Sequence, residues 1–337
     1  MSISYDTRPS NYQICSLLGE CTTKIGAVYS ARHLSSNTVV ALKKYNLEKI
    51  TREDTALIQE EIILMRQLCH PNVLPCLTAF VSGHTIVAVT PLMGYGSCHD
   101  IMMRHFSAGL PEPAIACILR AVITALGYLH SKAIIHRAVR ASHILISTDG
   151  NVVLTGLRYS CRLLSEGGRW LRKVHMFPPS TLPNLNWLSP ELLQQNLEGY
   201  SEKCDVYSFG VMGCELANGI VPFWDTPTTF MLTEKMRGAS PQLIDCTTFV
   251  HSANQGYITE DDYMRAVSER KFSENFHSLC ETCMEREAVK RPRPHQLLSH
   301  PFLKGAPHSS ALPSLLLPAI PIVDSGVLEV QGTFYYY

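Results

Sequence analysis

The sequence has no net charge and little charge of either sign. Its 29 Lys and Arg balance 29 Asp and Glu, and together they make up 17% of 337 residues. A chain so balanced exerts no global pull on nucleic acid or anionic membrane, and neither is expected as a partner without a local patch. Long apolar runs are also scarce. None approaches the roughly 18–20 residues needed to span a bilayer. The best, "ALPSLLLPAIPIV", is short and cut by prolines. The opening "MSISYDTRPSNYQ" lacks a basic segment followed by an apolar one, so no secretory signal is expected. The twelve cysteines are scattered, and only Cys280 and Cys283 form a CxxC, with no second pair to complete a zinc site. On a helix those two share a face, which suits buried thiols in a reducing compartment. From these absences a soluble, cytoplasmic protein is expected, with no structural metal. What is abundant is apolar residues, 46%, enough to fill one domain of roughly 250–300 residues.

Residues 12–45 read as strands with turns, and "VVALKKY" is short and β-branched. Residues 51–68 place Ile58, Ile62, Met65 and Leu68 at helical spacing, until "HPNVLP" breaks the pattern. "TIVAVTPLM" reads as a strand running into a short link. From about residue 98 the chain turns helical, over 111–131, 189–196, 205–218, 228–237, 272–284 and 294–299. Two strand-like pieces, "HILIS" and "VVLTG", flank the turn "TDGN". The expected fold class is α+β. A small β-rich N-lobe with one helix (12–91) precedes a larger, mostly α-helical C-lobe (94–304). An extension (1–11) precedes them, and a proline- and serine-rich flexible tail (305–337) follows, ending "TFYYY".

The pieces stand in a telling order. Lys43 lies in a strand, and Glu61 follows about a helix later in "EEIILM". "YLHSKAIIHR" ends in His136 and Arg137; "WLSPE" supplies Glu191; "DVYSFGVMGCELANGIVPF" carries Asp205; "KRPRPHQLLSHPF" supplies Arg291. This sequence of landmarks over 12–304 resembles a bilobal protein kinase fold. Fold does not settle function, so the chemistry needs its own test.

A kinase needs a glycine loop over the phosphates, a phosphate-holding lysine, two metal ligands and a base that orients the attacking hydroxyl. In "LGECTTKIGAVY", Gly19 and Val28 are kept, Cys21 replaces the second glycine, and Gly26 is offered as a late one. In "HRAVRASHILI", Ala138 replaces the base, and a methyl group cannot accept a proton. His143 replaces a metal-binding asparagine, and imidazole suits a hard, oxygen-seeking ion poorly. Where Asp-Phe-Gly is expected, the chain reads Gly156, Leu157, Arg158. Among residues 147–165 the sole acid is Asp149. With base and both metal ligands gone, metal-dependent phosphoryl transfer is not expected. Nucleotide is still expected to bind. Pro91 offers a hinge carbonyl and Met93 an N–H, and the kinase pattern adds Leu18, Gly19, Val28, Ala41, Lys43, Glu61 and Leu145 as contacts. Arg140 and Arg158 are candidates to neutralise phosphate in place of magnesium; the alternative is a pair of surface arginines. Met65, His136 and Leu157 are expected to stack as an apolar column of the active-like shape.

"HRAVRASHILISTDGNVVLTGLR", "WLSPELLQQNLEGY", "CELANG" and "MGYGS" narrow the resemblance to the sterile-twenty-related kinase adaptors, the STRAD pseudokinases. That resemblance implies an inactive adaptor that binds ATP without magnesium. It further implies activation of a serine/threonine kinase of the liver kinase B type, together with a mouse-protein-twenty-five-type scaffold. It implies retention of that kinase in the cytoplasm, with the nucleus as a second location. It makes Lys43, Arg140 and Arg158 nucleotide contacts and places "EGGRWLRKVHMFPPSTLPNLNW" in the partner interface, through Arg169, Trp170, Arg172, Lys173 and Phe177. A solvated basic loop is the alternative there. The family's scaffold docks a terminal Trp-Glu-Phe. This chain ends Phe334, Tyr335, Tyr336, Tyr337 instead, an aromatic cluster that is the candidate for the same pocket. A slow metal-independent kinase and a nucleotide-sensing module with another partner remain the competing readings.

Overall fold

The computed structural model describes residues 5–20, 25–165, 167–177, 182–194, 198–248 and 261–322. Its first layer is an antiparallel sheet of β1 (Tyr12–Glu20), β2 (Gly26–His33), β3 (Thr38–Asn46), β4 (Thr78–Ser82) and β5 (Thr85–Pro91). The spatial order is β1-β2-β3-β5-β4. Pairing register decides which residues look into the cleft below. Lys43 lies between Val28 and Ala88, and Ala41 between Ser30 and Thr90. Gly26 opens β2, two residues before Val28. It pairs with Tyr45 inside the sheet, where a Cβ would come within 2.8 Å of the Lys44 carbonyl oxygen.

The sheet packs on α1 (Arg52–Gln67), which begins at an N-cap: the Thr51 hydroxyl accepts from the Asp54 amide. Ile58, Glu61, Leu64 and Met65 are its buried face, at spacings of three and four.

The larger lobe is built around two helices. α2 (Cys98–His105) leads to α3 (Glu112–Ser131), which is long and apolar enough to cross a membrane, yet two thirds of it is buried inside the protein. That makes it a core helix, and its bounds match the expected 111–131 within a residue. After the short α4 (Pro190–Gln194), α5 (Lys203–Asn218) is buried at every residue from Cys204 onward. A helix buried all round belongs in a core, and its Asp205 and Glu215 carboxylates are buried with it. Next come α6 (Thr228–Arg237), α7 (Asp261–Glu269) and α8 (Glu274–Cys283); α7 has no counterpart in the sequence reading. Gly210 lets α5 and α8 approach closely, because a Cβ there would sit 2.8 Å from that of Cys283. Cys280 and Cys283 are buried thiols facing this contact, as expected. Short pairs, β6 (Gly96–Ser97) with β8 (Ile144–Ile146) and β9 (Val152–Leu154), and β7 (Ile134–Ile135) with β10 (Cys161–Arg162), edge the cleft. The arrangement is the bilobal kinase fold.

Glu191 and Arg291 tie the large lobe. The guanidinium donates from Nη1 and Nη2 to the two carboxylate oxygens at 2.6 and 2.9 Å. It also donates to the carbonyls of Glu285, Lys203 and Arg286, and it lies over the Tyr207 ring. Arg291 is buried. Removing one partner leaves an uncompensated charge, so Glu191→Ala is expected to cost about 3–5 kcal/mol in urea unfolding.

The tail expectation is corrected for residues 305–322. Leu312, Leu316 and Ala319 are buried in the main core, the one that α3 also builds. The Cys117 thiol donates to the Pro307 carbonyl (3.2 Å) and the Ile322 amide to the Gly94 carbonyl (2.8 Å). Proline and serine content signalled flexibility, but leucines at 312 and 316 bury one turn apart and fasten the segment to the link between the lobes.

Candidate functional site

The cleft between the lobes carries the positions where a kinase does its chemistry. Val28 and Ala41 come from the sheet, Lys43 from β3, Glu61 from α1, Pro91 from the end of β5, Met93 from the link, and Leu145 from β8; all line one cavity of about 40 Å³. Leu18 is buried in the same core and Gly19 faces Val28 in the register. Ligand pockets normally measure about 300–1,000 Å³. The residues suit a flat purine between Val28 and Ala41 on one side and Leu145 on the other, in a cavity below that range.

The catalytic loop is held by Asp205, which is fully buried. Its carboxylate accepts from His130 Nε2 and from the amides of His136 and Arg137, each at 2.8 Å. Burial alone would raise its pKa, but those donors hold it below the usual carboxylate value. Arg137 sits at a positive φ of 62°, a strained conformation for a long side chain. Its side chain anchors it there, donating to the carbonyls of Tyr159, Ser160 and Met176 and to the Tyr200 hydroxyl. The segment after Gly156 is thus ordered by an arginine on backbone carbonyls, with no phosphate needed.

His136 donates from Nε2 to the Thr155 carbonyl (2.8 Å) and accepts from the Ala138 amide at Nδ1. Both ring nitrogens are used, and burial keeps the imidazole neutral by lowering its pKa. Met65, His136 and Leu157 are all buried.

The metal ligands are replaced by a mutually fitted pair. His143 is buried, and its Nδ1–H donates to the Ala138 carbonyl (2.6 Å). Burial first, and the nearby Arg140 charge second, push its pKa well below the usual value, so it is a neutral imidazole. Gly156 has φ 88°, and a Cβ on it would lie 2.7 Å from His143 Nδ1. The ring fills the space a side chain at 156 would need. An aspartate cannot stand there while His143 keeps its place, and Ala138 presents only a buried methyl group. Magnesium has no oxygen cradle in this arrangement. Among the described residues, no cluster of three His, Cys, Asp or Glu side chains is placed to hold a metal ion.

The two candidate cations are not surface arginines, but neither stands as expected. Arg140 is buried, donates to the Pro183 carbonyl and lies over the Trp187 ring at 5.1 Å. Trp187 in turn donates to Glu215 (2.8 Å), which also accepts from the Ala141 amide. Burial raises the Glu215 pKa to about 7. Arg158, 12% exposed, pairs with Asp54 of α1. The correction has a simple cause: a carboxylate 104 residues away in sequence is brought beside it by the packing of α1 on the segment after Gly156.

The family description "Protein kinase domain" matches residues 12–303. STE20-related kinase adapter protein alpha of Gallus gallus is 40% identical over 337 residues, covering 94% of this chain and 86% of that protein. The human alpha protein is 39% identical, covering 93% and 78%, and human STE20-related kinase adapter protein beta is 35% identical, covering 93% and 80%. The chain belongs to the STE20-related kinase adapter family.

Within that family framework, the proposed interface residues divide. Trp170 is 58% exposed, and Arg169, Arg172 and Lys173 are exposed beside it. Phe177 is corrected: it turns partly inward, against the cluster of Ile135, Leu188 and Tyr200. Met176 and Leu182, within the stretch assigned to the interface but not singled out, and Trp224 and Phe230, outside it, are also large, apolar and exposed. The link between two of these segments is direct, since Asn186 Nδ2 donates to the Pro222 carbonyl (2.7 Å). Phe334, Tyr335, Tyr336 and Tyr337 lie outside the described residues.

Proposed function

We propose that this chain is a catalytically inactive adaptor that binds a serine/threonine kinase and holds it in an active shape. The observation that carries this is the fit of His143 against Gly156. Metal ligands and base are absent together, while Asp205, Glu191 and Arg291 keep the kinase frame rigid. The relatives named as kinase adapters support the same reading. The partner we favour is a kinase of the liver kinase B type, joined with a mouse-protein-twenty-five-type scaffold and retained in the cytoplasm. The exposed Trp170 with its neighbouring Arg169, Arg172 and Lys173 supports a contact surface of aromatic and arginine anchors. ATP is the proposed ligand of the cleft, with Pro91 and Met93 meeting the adenine edge. Phosphate would be met by cationic side chains, since no magnesium cradle is formed.

The test is reconstitution. The partner kinase's activity is measured alone, with scaffold, and with scaffold plus this chain, while radiolabelled ATP and generic substrates are offered to this chain by itself. Activation only when the chain is present, with no incorporation by the chain alone, is the expected result. Thermal stabilisation by ATP should be equal with magnesium and with EDTA; stabilisation that requires magnesium would sink the metal-free reading.

A further inference from the structure

The side chain that the sequence assigned to phosphate is already holding an anion. Arg158 Nη2 donates to Asp54 Oδ1, with the pair only 12% and 29% exposed. Asp54 is well placed to hold it. Its other oxygen accepts from the Thr51 hydroxyl at 2.9 Å, and its amide donates back to that hydroxyl at 3.0 Å. It stands in the first turn of α1, where the helix dipole favours a negative charge. One carboxylate therefore links the capped first turn of α1 to the turn Leu157–Tyr159 that follows Gly156.

A guanidinium presents its donors in a planar fork that suits carboxylate and phosphate alike. Two anions competing for one fork are mutually exclusive when both need the same face. We propose that Asp54 is the resting anion of Arg158, and that nucleotide phosphate engages Arg158 only by displacing it. The proposal rests on the nucleotide reading given above. It also assigns a direction to the coupling. Phosphate at Arg158 loosens the first turn of α1, and by reciprocity anything that tightens that turn weakens phosphate binding.

The experiment compares full-length wild type with Asp54→Asn by calorimetry in EDTA, using ATP and adenosine. Asp54→Asn is expected to bind ATP about tenfold more tightly, within the usual range of such couplings, while adenosine affinity changes less than about twofold. Equal ATP affinity in the two proteins, or an equal gain for adenosine, overturns the competition. Failure of both proteins to bind either compound overturns the nucleotide reading and this proposal with it. A second measurement needs no variant. Hydrogen exchange at residues 52–56 of the wild type should speed up on adding ATP and stay unchanged with adenosine; slower exchange with ATP overturns the displacement.

Discussion

Leu316→Ala is expected to lower unfolding stability by about 2–5 kcal/mol, the cost of truncating a fully buried leucine. Leu316 and Leu312 are each 0% exposed, and they share one core with α3. Ile320, 78% exposed on the same segment, serves as the control, and Ile320→Ala should stay within about 0.5 kcal/mol. The segment ends where the Ile322 amide meets the Gly94 carbonyl. Gly94→Ala should therefore also destabilise, since a Cβ there would lie 2.4 Å from Thr148 Cγ2 and 2.7 Å from the Ile322 carbonyl oxygen. Urea unfolding of the three variants decides. If Leu316→Ala behaves like Ile320→Ala, residues 305–322 are a tail after all.

The second large effect lies at the lost metal site. Gly156→Asp, the substitution that would restore the missing acid, is expected to destabilise the chain by about 3 kcal/mol or more. Two terms add: a non-glycine residue at positive φ costs roughly 1–3 kcal/mol, and the Cβ collides with the buried His143 ring. His143→Asn shrinks that ring and restores the other ligand type. The pair should therefore be less destabilised than the sum of the singles, by about 0.5–3 kcal/mol in a double-mutant cycle. Additive behaviour would show that His143 and Gly156 are not fitted to each other. Neither variant supplies a base, so Ala138 should keep phosphotransfer absent in both, as measured with radiolabelled ATP.

Much of this molecule was legible beforehand. Patterns that repeat every three or four residues placed α1, α3 and α6 within a residue or two, because the buried face of a helix is written in its own sequence. The spacing of Asp205, Glu191 and Arg291 pointed to the frame they now form. Helix α7 was missed, as it follows a polar stretch with no apolar repeat long enough to announce it. Leu312 and Leu316 were missed because prolines around them suggested extended chain, and only the groove on α3 rewards burying them. Phe177 was placed in the interface with the rest of its stretch, but a neighbouring apolar cluster takes part of it.

Substitution and rearrangement divide the rest. That residue 138 is alanine and residue 156 glycine is decided by the sequence alone, and no packing can return a carboxylate to either position. Which groups meet is another matter. Arg158 carries the same charge whether it faces phosphate or Asp54, and its partner lies 104 residues earlier in the chain. His143 is an imidazole in any fold, but burial beside Arg140 makes it neutral, and Gly156 gives its ring the room it fills. Side-chain chemistry is local and can be read in order along the chain. Pairing, burial and protonation depend on distances that exist only once the two lobes have closed on each other.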